Sequence, residues 1–261
     1  MTESHGNYDA AGDETTSVAE FYPDTSGYIV NEVARNVTYA GIGTGGTKLQ
    51  ESRFYYDGSL DYTASPLEGL LTIRSVWRNT DNSDIFLCVV ATCLVYDDYG
   101  NITTVRDLKG GETTFTYDTT FNKFLTSTTN PLSHSTSMTW DSTCEVPLSV
   151  TNANDQATTS AYDELCRLER SDGPLGSFVE MSYENVGAPA TQFTEIEAPA
   201  ANGSGTQWSR TYFDGLGRSY ESERRGPDVG QDILFNELTF NARGQVDTAN
   251  QPRFSGGTEY Y

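Results

Sequence analysis

An aromatic residue followed by an acidic or turn-forming residue recurs seven times between residues 96 and 241. The seven pairs are Tyr96-Asp97, Tyr117-Asp118, Trp140-Asp141, Tyr162-Asp163, Tyr183-Glu184, Phe213-Asp214 and Phe240-Asn241. Successive aromatic positions are separated by 21, 23, 22, 21, 30 and 27 residues. Internal repetition at such a step is typical of proteins that stack copies of one structural unit. The chain is therefore predicted to be a repeat protein.

Each repeat is predicted to open with a tight turn. In three copies an acidic or amide residue is followed three positions later by glycine, namely Asp97 and Gly100, Asp214 and Gly217, and Asn241 and Gly244. This spacing favours a type I turn, because the side chain at the first position accepts a backbone hydrogen bond. Glycine then tolerates a positive φ without a Cβ clash.

The residues between the turns alternate between apolar and polar. Phe115 and Tyr117 are two positions apart, as are Met138 and Trp140, so each pair shares one face of a strand. The repeat aromatic is then the last inward side chain of its strand, and successive rings are expected to form a buried ladder. The predicted fold is all-β, with two strands and two turns in each repeat. An ordinary β-sandwich with evenly spaced turns is the alternative.

Charge and hydropathy exclude several classes of function. The formal net charge is −21, from 16 basic and 37 acidic residues, which argues against a nucleic-acid partner. Because no run of eighteen apolar residues occurs, no membrane span is predicted. Met1 leads into polar, acidic sequence, so no signal peptide is expected, and the chain is either exported by another route or is a fragment.

No constellation of residues indicates catalysis, a metal site or a cofactor. Of the cysteines at positions 88, 93, 144 and 166, Cys144 and Cys166 occupy equivalent turns of consecutive repeats and could face each other. Free, buried thiols are nevertheless the expectation, and no spacing matches a zinc site. His5 and His134 have no partner at ligand spacing. The chain is predicted not to be an enzyme.

Three regions are expected along the chain. Residues 1–30 are a polar, acidic tail or a truncated edge element, residues 31–95 form a β region that precedes the repeats, and residues 96–261 are the repeats. A Pro- and Ala-rich segment, 188–205, is predicted to be an inserted surface loop. The sequence Gly41–Gly46 matches G-x-G-x-x-G, but a strand pattern follows it, so a flexible loop is favoured over a dinucleotide site.

The sequences of the repeat turns resemble those of a known family, the Rhs proteins with their YD repeats. The resemblance lies in Tyr96-Asp97-Asp98-Tyr99-Gly100-Asn101-Ile102-Thr103, Phe213-Asp214-Gly215-Leu216-Gly217-Arg218 and Thr129-Asn130-Pro131-Leu132-Ser133-His134. Residues 54–72 are similar to the segment before the repeats in the B component of bacterial ABC toxin complexes. The resemblance covers roughly residues 50–250. It is weaker at Phe121, Cys144 and Cys166, where the repeat glycine is missing and less tight turns are expected.

The resemblance implies a β-solenoid-like, spiralling antiparallel sheet that forms an arc of a hollow shell. In that family the shell encloses and delivers a toxic C-terminal polypeptide, and the self-cleaving aspartates lie downstream of the residues matched here. The implied partners are the rest of a larger Rhs polypeptide or a partner shell subunit, and the enclosed toxin. The implied location is secreted or cell-surface. A carbohydrate- or cell-surface-binding module is the alternative, which burial of the repeat aromatics would disfavour.

Overall fold

Strands joined by short turns make up the described part of the chain. The computed structural model describes residues 1–4, 12–78, 83–86, 93–201, 203, 205–227 and 231–257. Within these ranges the only helical segment is a single 3-10 turn, Pro174–Gly176. The prediction of an all-β fold is therefore confirmed. The chain divides into two compact units, Met1–Ser137 and Met138–Tyr261, and the strand Ser135–Asp141 contains the division.

The first unit begins with a six-stranded antiparallel sheet whose strands pair in sequence order. The strands are β1 (Thr2–Ser4), β2 (Thr15–Phe21), β3 (Val33–Ala40), β4 (Lys48–Tyr56), β5 (Leu71–Arg78) and β6 (Ser83–Phe86). The region expected as a tail or edge element thus contributes β1 and β2. The glycine-rich segment 41–46 lies in the hairpin between β3 and β4, with no helix after it.

The first unit continues into the repeats. Its further strands are β7 (Leu94–Tyr96), β8 (Ile102–Arg106), β9 (Glu112–Tyr117), β10 (Leu125–Thr129) and the start of β11 (Ser135–Asp141), paired antiparallel in sequence order. The amide of Cys93 donates a hydrogen bond to the carbonyl of Thr72 at 2.8 Å. The amide of Arg106 in turn donates to the Cys93 carbonyl at 2.8 Å. The residue before β7 is therefore bonded to both β5 and β8.

The second unit contains the remaining repeats. After the end of β11 come β12 (Val146–Thr151), β13 (Ala157–Tyr162), β14 (Leu168–Asp172), β15 (Phe178–Glu184), β16 (Phe193–Pro199), β17 (Thr206–Phe213), β18 (Ser219–Arg224), β19 (Ile233–Phe235), β20 (Leu238–Phe240), β21 (Val246–Ala249) and β22 (Arg253–Phe254). Strands β12 to β19 pair in sequence order, and β22 pairs with β19. Strands β20 and β21 form a separate hairpin.

The prediction that segment 188–205 is a surface loop is wrong, because its middle forms β16. Ile196 in this strand pairs with Met181 of β15 on one side and with Ser209 of β17 on the other. Phe193 to Ala198 alternate between the two faces as a strand requires, and the surrounding prolines and alanines obscured that pattern. Pro199 occupies the last position of the strand, where a missing N–H interrupts little of the pairing.

The two faces of the repeat strands differ in chemistry. In β9 of the first unit, Phe115 and Tyr117 are half-buried on one face, whereas Thr114 and Thr116 are exposed on the other. Strands β11 and β13 show the same alternation of half-buried and exposed residues. The expected period of two is therefore present, with the repeat aromatic on the half-buried face of each of these strands.

In the second unit the polar face becomes charged. Met181 lies opposite Ile196 on the apolar face. On the other face Arg210 lies between Glu195 of β16 and Glu223 of β18 in the pairing register. Its guanidinium nitrogens are 2.5 Å from Glu195 Oε2 and 3.6 Å from Glu223 Oε2. Cross-strand ion pairs therefore lie on this face, beside the rings of Phe193 and Trp208.

Burial is concentrated in the first unit. A cluster of Tyr55, Ile73 and Cys93, each at most 8% exposed, packs against Tyr62 and Leu94. In the second unit Ser222 is the only buried residue among those described. Apolar side chains such as Ile196 remain 45% exposed there. The second unit is therefore held by strand pairing and turns rather than by a buried apolar core.

A buried carboxylate lies in the six-stranded sheet. The side chain of Glu51 is 1% exposed and accepts hydrogen bonds from Arg35 Nε at 2.8 Å, Lys48 Nζ at 2.7 Å and Arg53 Nε at 2.7 Å. Burial alone would raise the pKa of Glu51, but these three cations outweigh it and lower the pKa to about 2. The carboxylate is thus ionised and paired, which is the condition for keeping a charge in the interior.

Candidate functional site: the repeat turns

In six of the seven pairs, the residue after the repeat aromatic organises a turn through its side chain; Glu184 is instead the last residue of β15. Asp97 Oδ1 accepts hydrogen bonds from the amides of Tyr99 and Asn101, both at 2.9 Å. The Gly100 amide donates to the Asp97 carbonyl at 3.1 Å, and the Asp97 amide donates to the Asn101 carbonyl at 3.0 Å. A five-residue turn is thus closed by four bonds around one acidic residue.

The same turn recurs throughout the repeats. Turns that start at Asp163, Asp214 and Asn241 have side chains that accept from the amides two and four positions later. The turns at the opposite ends of the strands have the same pattern, starting at Asp107, Asn130 and Asn152. His134, one of the two histidines, supplies the last amide of the Asn130 turn. His5 lies outside the described residues.

The fourth turn position requires a positive φ. Gly100, Gly217 and Gly244 have φ of +83°, +76° and +78°, and Cys166 takes the equivalent position at +62°. The amide of Cys166 donates to the Asp163 carbonyl at 2.9 Å, as tightly as in the glycine turns. The expectation of a looser turn at Cys166 is therefore wrong.

Two turns are built differently where the glycine is missing. In the turns that start at Asp118 and Asp141, the positive φ falls one residue later, at Asn122 (+55°) and Glu145 (+58°). Asp118 accepts amide hydrogen bonds from four residues: Thr120, Phe121, Lys123 and Phe124. Burial acts to raise the pKa of Asp118, but these four donors outweigh it and lower the pKa to about 2. These two turns are therefore longer than the glycine-containing turns, but their aspartates still accept backbone hydrogen bonds.

Other turn carboxylates have lowered pKa values for the same reason. A side-chain hydrogen bond from Asn101 lowers the pKa of Asp97, and one from Arg218 lowers that of Asp214. Backbone amides lower the pKa of Asp141 and Asp163, with Cys144 and Arg167 as the largest contributors. The carboxylates therefore remain ionised, and their placement serves turn geometry.

The tyrosine of each Tyr-Asp pair bonds to the strand before its own. The hydroxyl of Tyr117 donates to the carbonyl of Ile102 at 3.2 Å. Equivalent bonds run from Tyr162 to Pro147 at 3.1 Å and from Tyr183 to Leu168 at 3.3 Å. In all three cases the acceptor lies fifteen residues upstream, near the exit of the preceding turn.

Two earlier tyrosines make the same kind of bond. The hydroxyl of Tyr96 donates to the Leu71 carbonyl at 2.7 Å, and that of Tyr56 donates to the Val33 carbonyl at 2.9 Å. Tyr56 thus behaves as an early copy of the repeat aromatic. Phe213 and Phe240 have no hydroxyl, and Gln192 instead donates to the Phe213 carbonyl at 3.1 Å.

The arginine four positions after the turn aspartate was missed by the sequence analysis. Arg167 and Arg218 each pair with their own turn carboxylate, with 2.6 Å between Nη2 and Oδ2. The guanidinium of Arg167 also lies 4.0 Å from the ring centroid of Tyr183, and that of Arg218 lies 4.1 Å from that of Phe240. The Asp-x-x-x-Arg spacing was the available signal. Its consequence is a cation–π contact with the next repeat aromatic.

Two further links join neighbouring turns by other chemistry. In the first unit the side-chain amide of Asn101 donates to the carbonyl of Asn122 in the next turn at 2.6 Å. In the second unit a disulfide joins Cys144 and Cys166, with 5.4 Å between their Cα atoms. The expectation of free thiols is therefore wrong. Cys93 is also disulfide-bonded, and Cys88 lies outside the described residues.

The repeat rings are less buried than the ladder hypothesis expected. Tyr96, Tyr117, Trp140, Tyr162, Tyr183, Phe213 and Phe240 are all half-buried. Their hydroxyl groups or ring faces are engaged, but one layer of sheet cannot enclose a ring from both sides. The prediction of full burial is wrong for this reason.

Metal-binding clusters and membrane-spanning helices do not occur in the described residues. No group of three or more His, Cys, Asp or Glu side chains within them is arranged to hold a metal ion. No helix in the described part of the chain is long and apolar enough to cross a membrane. The recurring arrangement is a turn that an Asp or Asn side chain closes and that is linked to a neighbouring strand or turn.

Known structures share this architecture. No family model matches the chain, and no curated protein matches it. It is similar to the crystal structure of TcdB2-TccC3-Cdc42 (TM-score 0.66, 10% identity), the Photorhabdus luminescens Tc holotoxin pore (0.65, 10%) and the crystal structure of TcdB2-TccC3 (0.61, 11%). Each comparison covers 92% of this chain and 18% or 20% of the matched chain.

The fold is therefore the all-β repeat fold found in toxin-complex structures. The turn sequences suggested a resemblance to Rhs proteins and ABC toxins. This resemblance is confirmed at the level of the fold, with TcdB2-TccC3 and the Tc holotoxin pore as structural neighbours. This chain spans about a fifth of the length of the chains it matches.

Proposed function

We propose that the chain is a wall segment of an Rhs/YD-repeat shell that encloses and helps to deliver a toxin polypeptide, without catalytic activity of its own. The observation that carries this proposal is an antiparallel sheet whose tyrosine hydroxyls bond to neighbouring strands. Its fold is similar to toxin-complex structures over 92% of the chain. The repeat tyrosines and turn residues serve the wall, because the tyrosine hydroxyls bond to neighbouring strands and the Asp and Asn side chains close turns.

Containment is the mechanism that this architecture supports. Within the six-stranded sheet and among β12 to β19, neighbouring strands are joined by backbone hydrogen bonds, so a polypeptide cannot pass between paired strands. Within each unit, tyrosine hydroxyls bond to neighbouring strands, so that the repeats resist separation. Half-exposed apolar residues on one face and ion pairs on the other leave both faces available for contacts with shell or cargo.

The partners proposed are the rest of a larger Rhs polypeptide or a partner shell subunit, and the enclosed toxin. The short span relative to the matched chains supports the first, since a wall needs more repeats than this chain has. The disulfides at Cys93 and Cys144–Cys166 support a location outside the reducing cytoplasm, either secreted or at a cell surface.

Protease protection tests this proposal. DNA on both sides of the reading frame would be sequenced, the complete natural product expressed, and the purified protein treated with trypsin. We expect a polypeptide outside residues 1–261 to resist trypsin in the native assembly. It should become sensitive when Tyr117, Tyr162 and Tyr183 are all replaced by Phe. Replacement of the 68%-exposed Tyr99 by Phe is the matched control.

The absence of any protected polypeptide would overturn the proposal. If the reading frame encodes no further repeats or cargo, and the protein instead binds a soluble oligosaccharide, the carbohydrate-binding alternative would be favoured.

A further inference from the structure

The disulfide Cys144–Cys166 differs in kind from the other links between neighbouring turns. Asn101 makes a hydrogen bond to the next turn, and Arg167 and Arg218 make cation–π contacts. Only the Cys144–Cys166 link, among those in the described residues, is a covalent bond between turns of consecutive repeats. Its two cysteines are 22 residues apart, so the bond closes the whole β12–β13 hairpin into a loop.

Cys166 occupies a backbone position that disfavours any side chain. The equivalent residues Gly100, Gly217 and Gly244 have positive φ, and Cys166 adopts φ +62° in the same turn. A cysteine there is conformationally less favourable than glycine. The side chain that replaces glycine makes the inter-turn bond, which glycine cannot make.

The bond is open to solution from one side. Cys166 is exposed and Cys144 is half-buried. Of the two cysteines, Cys166 is therefore the one that an external thiolate reaches from solution, with Cys144 as the leaving group. The second unit has little buried apolar surface to compensate for the loss of a covalent link.

We propose that this disulfide is a reducible lock on the repeat edge, closed in an oxidising medium and opened by a dithiol protein reductant. One reductant thiolate attacks Cys166 Sγ, the S–S bond breaks, and Cys144 leaves as a thiolate that takes up a proton. The second reductant thiol then resolves the mixed disulfide and releases Cys166 as a thiol. The reductant is oxidised to its disulfide as two electrons pass to the cysteines.

The surrounding charge favours a dithiol protein over a small anionic thiol. Asp141, Glu145, Asp163 and Glu164 are all within three residues of one of the two cysteines. Asp163 among them pairs with Arg167, but the carboxylates outnumber this arginine, so the net charge beside the disulfide is negative and repels an anionic monothiol. A reductant that carries its own resolving thiol does not depend on a second encounter.

The benefit of such a lock rests on the proposed wall function, because it would loosen the wall after entry into a reducing compartment. Its chemistry does not depend on that function, and it is tested on the chain alone.

The experiment measures hydrogen exchange and thiol state in the full chain. Protein prepared under oxidising conditions is treated without denaturant with thioredoxin, its reductase and NADPH, or with glutathione at matched thiol concentration. Alkylation and peptide mass spectrometry then report the thiols at Cys144 and Cys166. We expect thioredoxin to free both thiols at least tenfold faster than glutathione does. Exchange of the β12 and β13 amides should rise by on the order of 100-fold, as expected for opening a loop of this length.

A variant that combines Cys144→Ser and Cys166→Ser is the matched control. It should exchange in β12 and β13 as fast as the reduced protein, and reductant should have no effect on these peptides. Any response of the Cys93 disulfide is recorded separately, in peptides of the first unit.

Three results would overturn the proposal: alkylation of both cysteines before reductant is added, reduction only in denaturant, or complete reduction without faster exchange in β12 and β13. None of these results depends on trypsin protection of a cargo, so the failure of this proposal and that of the wall function can be told apart.

Discussion

The tyrosine hydroxyls provide a direct test of how consecutive strands are held together. Replacing Tyr117, Tyr162 and Tyr183 by Phe removes three hydroxyl donors and keeps every ring. The acceptor distances of 3.2, 3.1 and 3.3 Å are at the long end for a hydroxyl donor. A neutral hydrogen bond of this kind contributes about 0.5–1.5 kcal/mol net. Since no cavity is created, we assign about 0.7 kcal/mol to each bond, within that range.

The three changes together are therefore expected to destabilise the chain by about 2 kcal/mol, if the separate sites add. Guanidinium unfolding followed by circular dichroism measures this value through the midpoint at a constant slope. In a thermal scan the expected decrease in Tm is roughly 4–8 °C, because about 1 kcal/mol corresponds to 2–4 °C at this chain length. Tyr99→Phe, at an exposed turn position, should leave both values unchanged.

A triple variant as stable as Tyr99→Phe would refute the argument, since the hydroxyl bonds would then contribute nothing. A loss far above 2 kcal/mol would also contradict it, because the rings and not the hydroxyls would then be responsible.

Three further predictions concern charge and backbone. Glu51→Gln should destabilise the first unit by about 3 kcal/mol, because three cations lose their buried partner. A loss of unfolding free energy below about 1 kcal/mol, measured by urea unfolding, would contradict this. The pKa of Asp118 in the folded chain is about 2, against an ordinary value of 3.8, so its stabilisation is present above pH ~4 and lost as the pH falls toward 2. Acid titration by circular dichroism should show this loss in the native chain and less of it in Asp118→Asn. Gly217→Ala should cost about 1 kcal/mol through φ +76° alone, as no atom lies within 4 Å of the added Cβ. Gly217→Asn should cost less, and equal thermal shifts for the two variants would argue against backbone conformation as the cause.

The repeat spacing and the period-two alternation predicted strands and tight turns within the repeats. Strand β9 ends at Tyr117, as expected for an aromatic residue that is the last inward side chain of its strand. The turns at Asp97 and Asp214 follow from side-chain chemistry that acts over only four residues. Local interactions of this kind are encoded in neighbouring residues, so a single sequence reveals them.

Three predictions failed where the outcome depended on partners distant in sequence. Strand β16 was hidden by proline and alanine until its pairing with β15 and β17 was known. The Cys144–Cys166 bond depends on two turns meeting across a hairpin of 22 residues. The rings are half-buried because burial depends on what covers the sheet, which alternation within one strand does not specify.

By itself the sequence determined the all-β class, the alternation of side chains along the strands and the turns that start at Asp or Asn. Each of these depends on period-two alternation or on bonds within five residues. The tertiary structure decided which turns are linked and by what chemistry: a tyrosine hydroxyl, an arginine over a ring, an asparagine or a disulfide. Those links join residues 15 to 22 positions apart, and only the register of the paired strands brings them within bonding distance.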